Sequence, residues 1–548
     1  MRYQQHHGSD SKDGVYSWLS PALLIAGAAL RLWQYLGSSA LWTDEAAIAN
    51  NIAARPLAQL IAVPLGHNQA APVGFLLVEK LAVTLFGANG LSLRAYPLLC
   101  AMLSLVLLWR VARRLLPTAA VPLALAPFAF APPLIFYAAE VKQYSSDVAI
   151  SLAILLVALE LSGCAASVQL PTRRVVSAAM VGALAVWFSQ PAVLVVTGLG
   201  GALAIGALGS RERRPVTPLV WVILTWAASA LAATAVSMHH LTPSAQQFMR
   251  TFWSDGFWPL SLRHPSSIVW PIAHIALLIG SQLGISTSIG LACAMLATGG
   301  LVATWKNKWR TSLLLAMPLL VALGASAAHL YPFAERLALF LIPFPLLLAA
   351  IGVTEFAELA RVKRGSAAVL GGATIFVLIV AAQSLYAAPP VYRREEITPA
   401  ITYLRRASRA ADASYIYYGA APAYQFYDAR EALPARATMG GCHRGDANAY
   451  LTELDAFRGR PRVWLLFAHD LPRLREREMM LAHLESLGSA RDSMVSYGRD
   501  TDGKTTYVRL YLYDLSRSSA PDTTVRAAVT ESDTAAVELR LRCAPASE

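Results

Sequence analysis

Four clusters of ionisable and aromatic residues stand out in a chain that is otherwise mostly apolar. The first is LWTDEAA (41–47), with Asp44 and Glu45 side by side, and it is followed by GHNQAAP (66–72) with His67. The second is FYAAEVKQYSSD (136–147), which carries Glu140, Lys142, Gln143, Tyr144 and Asp147. The third runs through MHHLTP (238–243) into QQFMRTFWSDGFWP (246–259), and the fourth is HLYPFAERLALF (329–340), with Glu335 and Arg336. These residue types can do chemistry together: a carboxylate can take a proton from a hydroxyl, and a guanidinium can hold two phosphate oxygens at once. Each cluster lies at the end of an apolar run, where an unpaired charge costs kcal/mol unless it is wetted. Gathered on one face, the four therefore point to a common water-filled cavity.

The elements that must position these residues are membrane helices. Of 548 residues, 56% are hydrophobic and only 15% charged, and the mean hydropathy is +0.46; soluble domains rarely have this make-up. Apolar runs of roughly 17–22 residues recur as far as residue 387, each long enough to cross a hydrocarbon core of ~30 Å. From residue 388 charged residues and prolines appear every few positions, so 1–387 reads as a membrane module and 388–516 as a soluble domain, with 517–548 as a tail.

The formal charge of +12 would suggest a nucleic-acid partner in a soluble protein. Here the basic residues sit in short loops between apolar runs: RVARR (110–114), PTRR (171–174), RERR (211–214), KNKWR (306–310) and RVKR (361–364). That is the pattern of cytoplasmic loops and excludes a nucleic-acid reading. Fixing these loops inside requires an even number of crossings between any two of them. About eleven spans satisfy this, near 17–37, 92–112, 118–137, 146–163, 175–189, 191–208, 217–238, 286–304, 312–330, 337–356 and 367–387. Segments 72–86 and 266–283 are then helices lying along the outer interface. The amino terminus is expected in the cytoplasm, and the polar clusters and the soluble domain outside, as in a multi-pass protein of a bacterial inner membrane. The first apolar run has no small-residue cleavage site before Trp42 and reads as an uncleaved span.

Within 388–516, ITPAITYLRRASRA (397–410) and REREMMLAHLESLG (475–488) read as helices. ASYIYYG (413–419), PRVWLLFA (461–468) and TTYVRLYLYDL (505–515) read as strands, the pattern of a small three-layer α/β unit. It has no nucleophile elbow, phosphate loop or dinucleotide signature, so its expected role is to shape acceptor access. Cys442 and Cys543 fall in the outer part and could pair in an oxidising compartment, or stay apart. No C-x-x-C or H-E-x-x-H spacing offers a zinc site.

The ordered set of motifs carries a resemblance. An acidic pair after the first span, a His/Pro stretch leading to an amphipathic helix and LFG, and Arg94 opening the next span resemble the GT-C superfamily of polyprenyl-phosphate-sugar glycosyltransferases. YAAEVKQYSSD and YPFAERLALFLIP add to it, and the likeness is to the bacterial branch related to protein O-mannosyltransferases and lipid A aminoarabinose transferases. It covers about residues 17–387. One departure is that many relatives have His or Lys directly followed by two prolines, whereas Asn-Gln-Ala-Ala separates His67 from Pro72. The resemblance implies a polytopic α-helical GT-C fold and an inverting single displacement from a polyprenyl-phosphate sugar to an extracytoplasmic lipid, glycan or protein. It makes Asp44 the base, with Glu45 orienting it or binding sugar. Arg336, then Lys142 and Arg94, with Tyr144, would hold the donor phosphate, and Glu140 and His67 would contact substrate. No cofactor is required by the sequence; some relatives use a divalent metal with the acidic residues.

Blander roles compete for each residue. Acids favour helix N-termini, Glu140 and Lys142 can simply pair at an interface, and Arg94 or Arg336 can anchor to headgroups. Trp253 and Trp258 serve equally as interface-belt aromatics or sugar platforms. Two other classes stay open for the whole chain, a lipid-linked saccharide transporter and a non-catalytic membrane scaffold. The first would want internal repeats and mid-membrane polar groups, and neither is visible.

Overall fold

The computed structural model describes residues 18–37, 40–163, 171–209, 217–260, 265–362, 391–431, 436–444, 446–471, 474–500 and 504–516, with positions 379 and 382 in isolation. Where no water can satisfy backbone N–H and C=O groups, an apolar segment must bond them within itself, and the apolar runs are accordingly helices. Among the described residues six helices are long and apolar enough to cross a membrane, or eight if each of two bent pairs counts as one span. This is a multi-pass membrane protein. The expected spans near 17–37, 175–189 and 191–208 form the helices Leu19–Gly37, Thr172–Phe188 and Ala192–Leu208, which are shorter or less apolar than those eight. The expected span 367–387 lies outside the described residues, isolated positions apart. Val73–Phe86, expected at the interface, is a 14-residue helix.

Segment 266–283, expected along the interface, is likewise a helix. It forms the helix Pro265–Leu283, whose Ser266–Leu283 stretch qualifies as a span by length and composition. Its start is tied to the neighbouring polar cluster, Trp270 stacking with Trp258. Its end packs at Pro132, where a Cβ on Gly284 would fall 2.8 Å from the proline ring. A further helix, Thr287–Trp305, separates that end from the basic turn at 306–310.

The two bent pairs have identifiable causes. Thr118–Phe130 and Pro132–Ala139 meet at 62°, where consecutive prolines 132 and 133 cannot donate to the preceding turn. The carbonyls of Phe128 and Ala129 are taken up instead by the buried guanidinium of Arg31, at 3.1 and 3.0 Å. The second pair, the 3-10 turn Glu335–Leu341 and Pro343–Glu358, bends by 53° and sets Arg336 at the beginning of its span. Thr287–Ala327 is also two helices, broken at Lys308 in the basic turn. Small residues let backbones touch: a Cβ on Gly300 would meet the Leu348 carbonyl at 2.1 Å.

Residues 391–516 contain a five-stranded sheet of order β2-β1-β3-β5-β4, with β1 Ala413–Ile416, β2 Arg436–Met439, β3 Val463–Phe467, β4 Ser489–Arg499 and β5 Thr505–Asp514. β1 runs parallel to β2 and β3, while β5 is antiparallel to β3 and β4. β1 and β3 are wholly buried, as inner parallel strands covered on both faces must be. On one face Tyr415, Leu465 and Phe467 pack with Tyr450, Met480 and Leu484. On the other, Ile416, Trp464 and Leu466 pack with Ile401, Leu404 and Tyr424.

This second face does more than close the sheet. The same apolar cluster continues through Leu41, Ile48, Ile52, Phe75 and Leu93, so the α/β unit and the segment after the first span share one core.

Candidate active site

The helix Thr43–Ala54 begins without a side-chain cap, and its N-cap residue is Trp42. What fixes its first turn is a sequence of ties, one for each residue from 40 to 45. The Ala40 carbonyl accepts from Arg94, and the Leu41 N–H donates to the Tyr427 hydroxyl at 2.9 Å. Trp42 Nε1 donates to Glu140 at 3.1 Å, and its ring lies 4.1 Å from the Arg394 guanidinium. Thr43 donates to the Gly419 carbonyl and lies 3.3 Å from Glu395 Oε2.

Asp44 is the meeting point of three segments. Lys142 Nζ lies 3.3 Å from Oδ1 and Arg336 Nη2 3.3 Å from Oδ2. Gln69 bridges, donating to Asp44 at 3.4 Å and accepting from Lys142 at 2.6 Å. Burial by itself would raise the Asp44 carboxyl, but Lys142 and Arg336 outweigh it and hold the group well below the usual carboxylate range. The Arg336 guanidinium also lies 5.4 Å from the Trp253 ring and 5.9 Å from that of Tyr144. Its Nε is buried and has no hydrogen-bond partner among the described residues.

Glu45 faces a different neighbour. Arg94 holds it bidentately, Nε to Oε1 at 2.8 Å and Nη2 to Oε2 at 2.6 Å, and the Val141 N–H adds a third bond at 2.8 Å. The two side chains are 4% and 2% exposed, so this is a desolvated ion pair that stays in place only because both partners are satisfied. Arg94 thus orients Glu45 and the chain at Ala40, apart from the Lys142 and Arg336 pair with which the sequence grouped it. Glu140 is buried beside it, and burial together with the Glu45 carboxylate pushes its carboxyl up to about 7.

His67 lies in a loop pinned to the same helix. Asn51 accepts from the Gly66 N–H at 2.8 Å and Arg55 donates to the Pro64 carbonyl at 2.8 Å, while His67 and Asn68 both take left-handed conformations with φ of 58° and 51°. Its connection to Asp44 runs through Gln69, which also reaches the His67 carbonyl at 3.3 Å. Burial lowers the His67 imidazole's affinity for a proton.

Among the described residues no group of three or more His, Cys, Asp or Glu side chains is arranged to hold a metal ion. Of the first-loop acids, Asp44 faces two cations and Glu45 a third. Cys442 is disulfide-bonded, and Cys543 lies outside the described residues.

Sequence reasoning missed Trp42, Thr43 and Gln69 as participants, and the contributions of Arg394, Glu395 and His469 from beyond the membrane module. Their one visible signal was adjacency: Trp42 and Thr43 precede the acidic pair, and RREE (393–396) opens the soluble region.

No family model and no curated protein matches the sequence. Solved structures do match. ArnT from Cupriavidus metallidurans bound to undecaprenyl phosphate aligns at a TM-score of 0.51 and 13% identity, over 92% of this chain and 98% of that one. Its apo state gives 0.52 and 13%, over 92% and 99%. The Archaeoglobus fulgidus oligosaccharyltransferase tethered with an acceptor peptide gives 0.46 and 12%, over 90% and 74%. At such identities the match speaks for architecture alone, and over nearly its whole length this chain has the fold of the ArnT structures.

Proposed function

We propose that the protein is a glycosyltransferase that moves a sugar from a polyprenyl-phosphate carrier to an extracytoplasmic acceptor, with Asp44 as base. The observation that carries this reading is the sharing of one carboxylate, Asp44, by two cations, Lys142 and Arg336. A carboxylate between two cations occupies the kind of place a phosphate group takes, and the unpartnered Nε of Arg336 leaves a donor to spare. The ArnT structure with undecaprenyl phosphate supplies the class of carrier.

The chemistry follows from competition for the cations. A donor phosphate that engages Lys142 and Arg336 draws them from Asp44, whose basicity then recovers. The carboxylate takes the acceptor hydroxyl's proton while that oxygen bonds to the anomeric carbon. The bond from that carbon to the phosphate oxygen breaks with its electron pair, and the cations hold the released phosphate. One displacement inverts the anomeric centre. Tyr144 and Trp253 flank the Arg336 guanidinium, Glu45 and Arg94 hold the first turn of the helix in place, and Glu140 and His67 are assigned to substrate contact.

Sidedness has its own support. The helix Gly90–Leu115 carries Arg94 of the site in its first turns and Arg113 and Arg114 in its last, so this basic segment and the site lie at opposite ends of it. By the positive-inside rule the site faces outside a bacterial inner membrane.

The test is transfer of radiolabelled sugar from a panel of polyprenyl-phosphate sugars in proteoliposomes, with wild type, Asp44→Asn and Arg336→Ala. Label reaching an acceptor or water with wild type alone supports the reading. Transfer undiminished in both variants would remove it.

A further inference from the structure

The six residues that lead into and include the acidic pair are held partly by the membrane module and partly by the α/β unit. Glu45, Asp44 and the Ala40 carbonyl are gripped by Arg94, Lys142 and Arg336. Thr43, immediately before the base, is gripped from the other side. Its hydroxyl donates to the carbonyl of Gly419, just beyond β1, and stands within reach of Glu395. Glu395 in turn meets His469 Nδ1 at 2.6 Å, just beyond β3. The His469 ring also lies 6.0 Å from that of Trp42.

Both partners of this dyad are non-glycine residues in the left-handed region, Glu395 at φ 47° and His469 at φ 56°. Such conformations persist where the surroundings over-determine them, and they concentrate at working sites. Thr43 and Glu395 are 352 residues apart in the chain, so their meeting is made by tertiary structure alone. The carboxyl ends of β1 and β3, the edge of a parallel sheet where α/β folds usually hold ligands, are turned here toward residues 42 and 43.

We infer that Glu395 and His469 are positioning residues for transfer: through Thr43 they set the conformation of the turn that presents Asp44, so the α/β unit completes the active site. The inference rests on the glycosyltransferase reading above. It makes turnover, more than donor binding, depend on the Thr43 hydroxyl, because the phosphate-holding cations stand on other segments.

The experiment compares Thr43→Val, which keeps the shape and removes the hydroxyl, with Thr43→Ser, which keeps the hydroxyl, in the full-length protein in proteoliposomes. Turnover at saturating donor, the donor KM and the melting temperature are read for each, with Glu395→Gln, His469→Gln and Asp44→Asn alongside. Thr43→Val is expected to lose turnover roughly 10- to 100-fold, the scale of a misplaced reacting group, with KM changed little. Thr43→Ser is expected to retain most turnover, and Thr43→Val combined with Glu395→Gln to be no worse than the poorer single variant. Wild-type turnover in Thr43→Val, or equal losses in Thr43→Val and Thr43→Ser, would overturn the inference. If Asp44→Asn is inactive while Thr43→Val is fully active, only this inference falls. If Asp44→Asn is fully active, the base assignment falls first. Should a dyad variant fail to fold, the Thr43 pair decides the matter.

Discussion

Arg336 and Asp44, 292 residues apart in the chain, meet at 3.3 Å, and the guanidinium keeps its buried Nε without a partner among the described residues. A cation that greets a resident carboxylate and still has a donor unspent is poised for exchange of one anion for another.

Asp44→Asn tests that exchange. Removing a general base costs about 10²- to 10⁴-fold in turnover, whereas the donor phosphate would no longer compete with the carboxylate for Lys142 and Arg336. Turnover should fall by that order with the donor KM unchanged or lower. Steady-state transfer kinetics check this, and a raised KM with normal turnover would contradict it.

Arg336→Lys keeps the charge and loses the planar fork and its two ring contacts. A charge-assisted hydrogen bond contributes about 1.5–3 kcal/mol, so the donor KM should rise roughly tenfold or more. Lys142→Met should act in the same direction. Donor titrations of both variants provide the measurement.

Arg94→Ala should damage stability before chemistry. It strands Glu45, which is buried, and breaking such a pair costs about 3–5 kcal/mol. Pairing Arg94→Met with Glu45→Gln should restore most of the loss. Melting of the detergent-solubilised protein measures both, and a single variant as stable as wild type would contradict the assignment.

The Glu395 and His469 pair gives docking of the α/β unit a pH dependence. Burial opposes charge on both, yet each offsets it for the other, so Glu395 is held below its ordinary value of 4.5 and His469 above its ordinary value of 6.5. Arg394 and Arg444 work against the histidine's charge without reversing the shift. A depressed acid contributes fully above its unfolded value, and a raised histidine contributes fully below its own. The pair's contribution is therefore complete from about pH 4.5 to 6.5 and is lost as pH climbs through the raised His469 value. Melting temperature should decline in that alkaline direction, and Glu395→Gln should flatten the slope.

Orientation is checked independently. A reporter enzyme active only outside the cytoplasm, fused after residue 388, should be active; activity of a cytoplasmic reporter at the same point would reverse the assignment of faces.

Much of this architecture was legible in the sequence because a bilayer imposes simple demands. Apolar length marks helices and basic loops mark one face, while charged residues at span ends, as in FYAAEVKQYSSD, mark the other. The strands β1, β3 and β5 were legible as apolar runs, whereas β2 is four residues long and β4, SARDSMVSYGR, is a largely exposed polar edge. The pairing of Arg94 with Glu45 and of Arg336 with Asp44 was not legible, since nothing in residue type distinguishes two arginines at span ends. Nor was the reach of Glu395 to Thr43, which depends on how one folded unit sits on another.

The shared core of Leu41, Phe75, Trp464 and Leu466 has a consequence for the order of events during synthesis. The part of the site around Asp44 leaves the ribosome early, but the side chains that bury its flank arrive only after residue 391. At about 5–20 residues per second the wait until Trp464 is made is roughly 20–85 s, spent with an incomplete cluster at the membrane surface. A nascent chain thus lacks the flank of the Asp44 turn until the α/β unit has been made, and one terminated before it should leave this apolar face exposed.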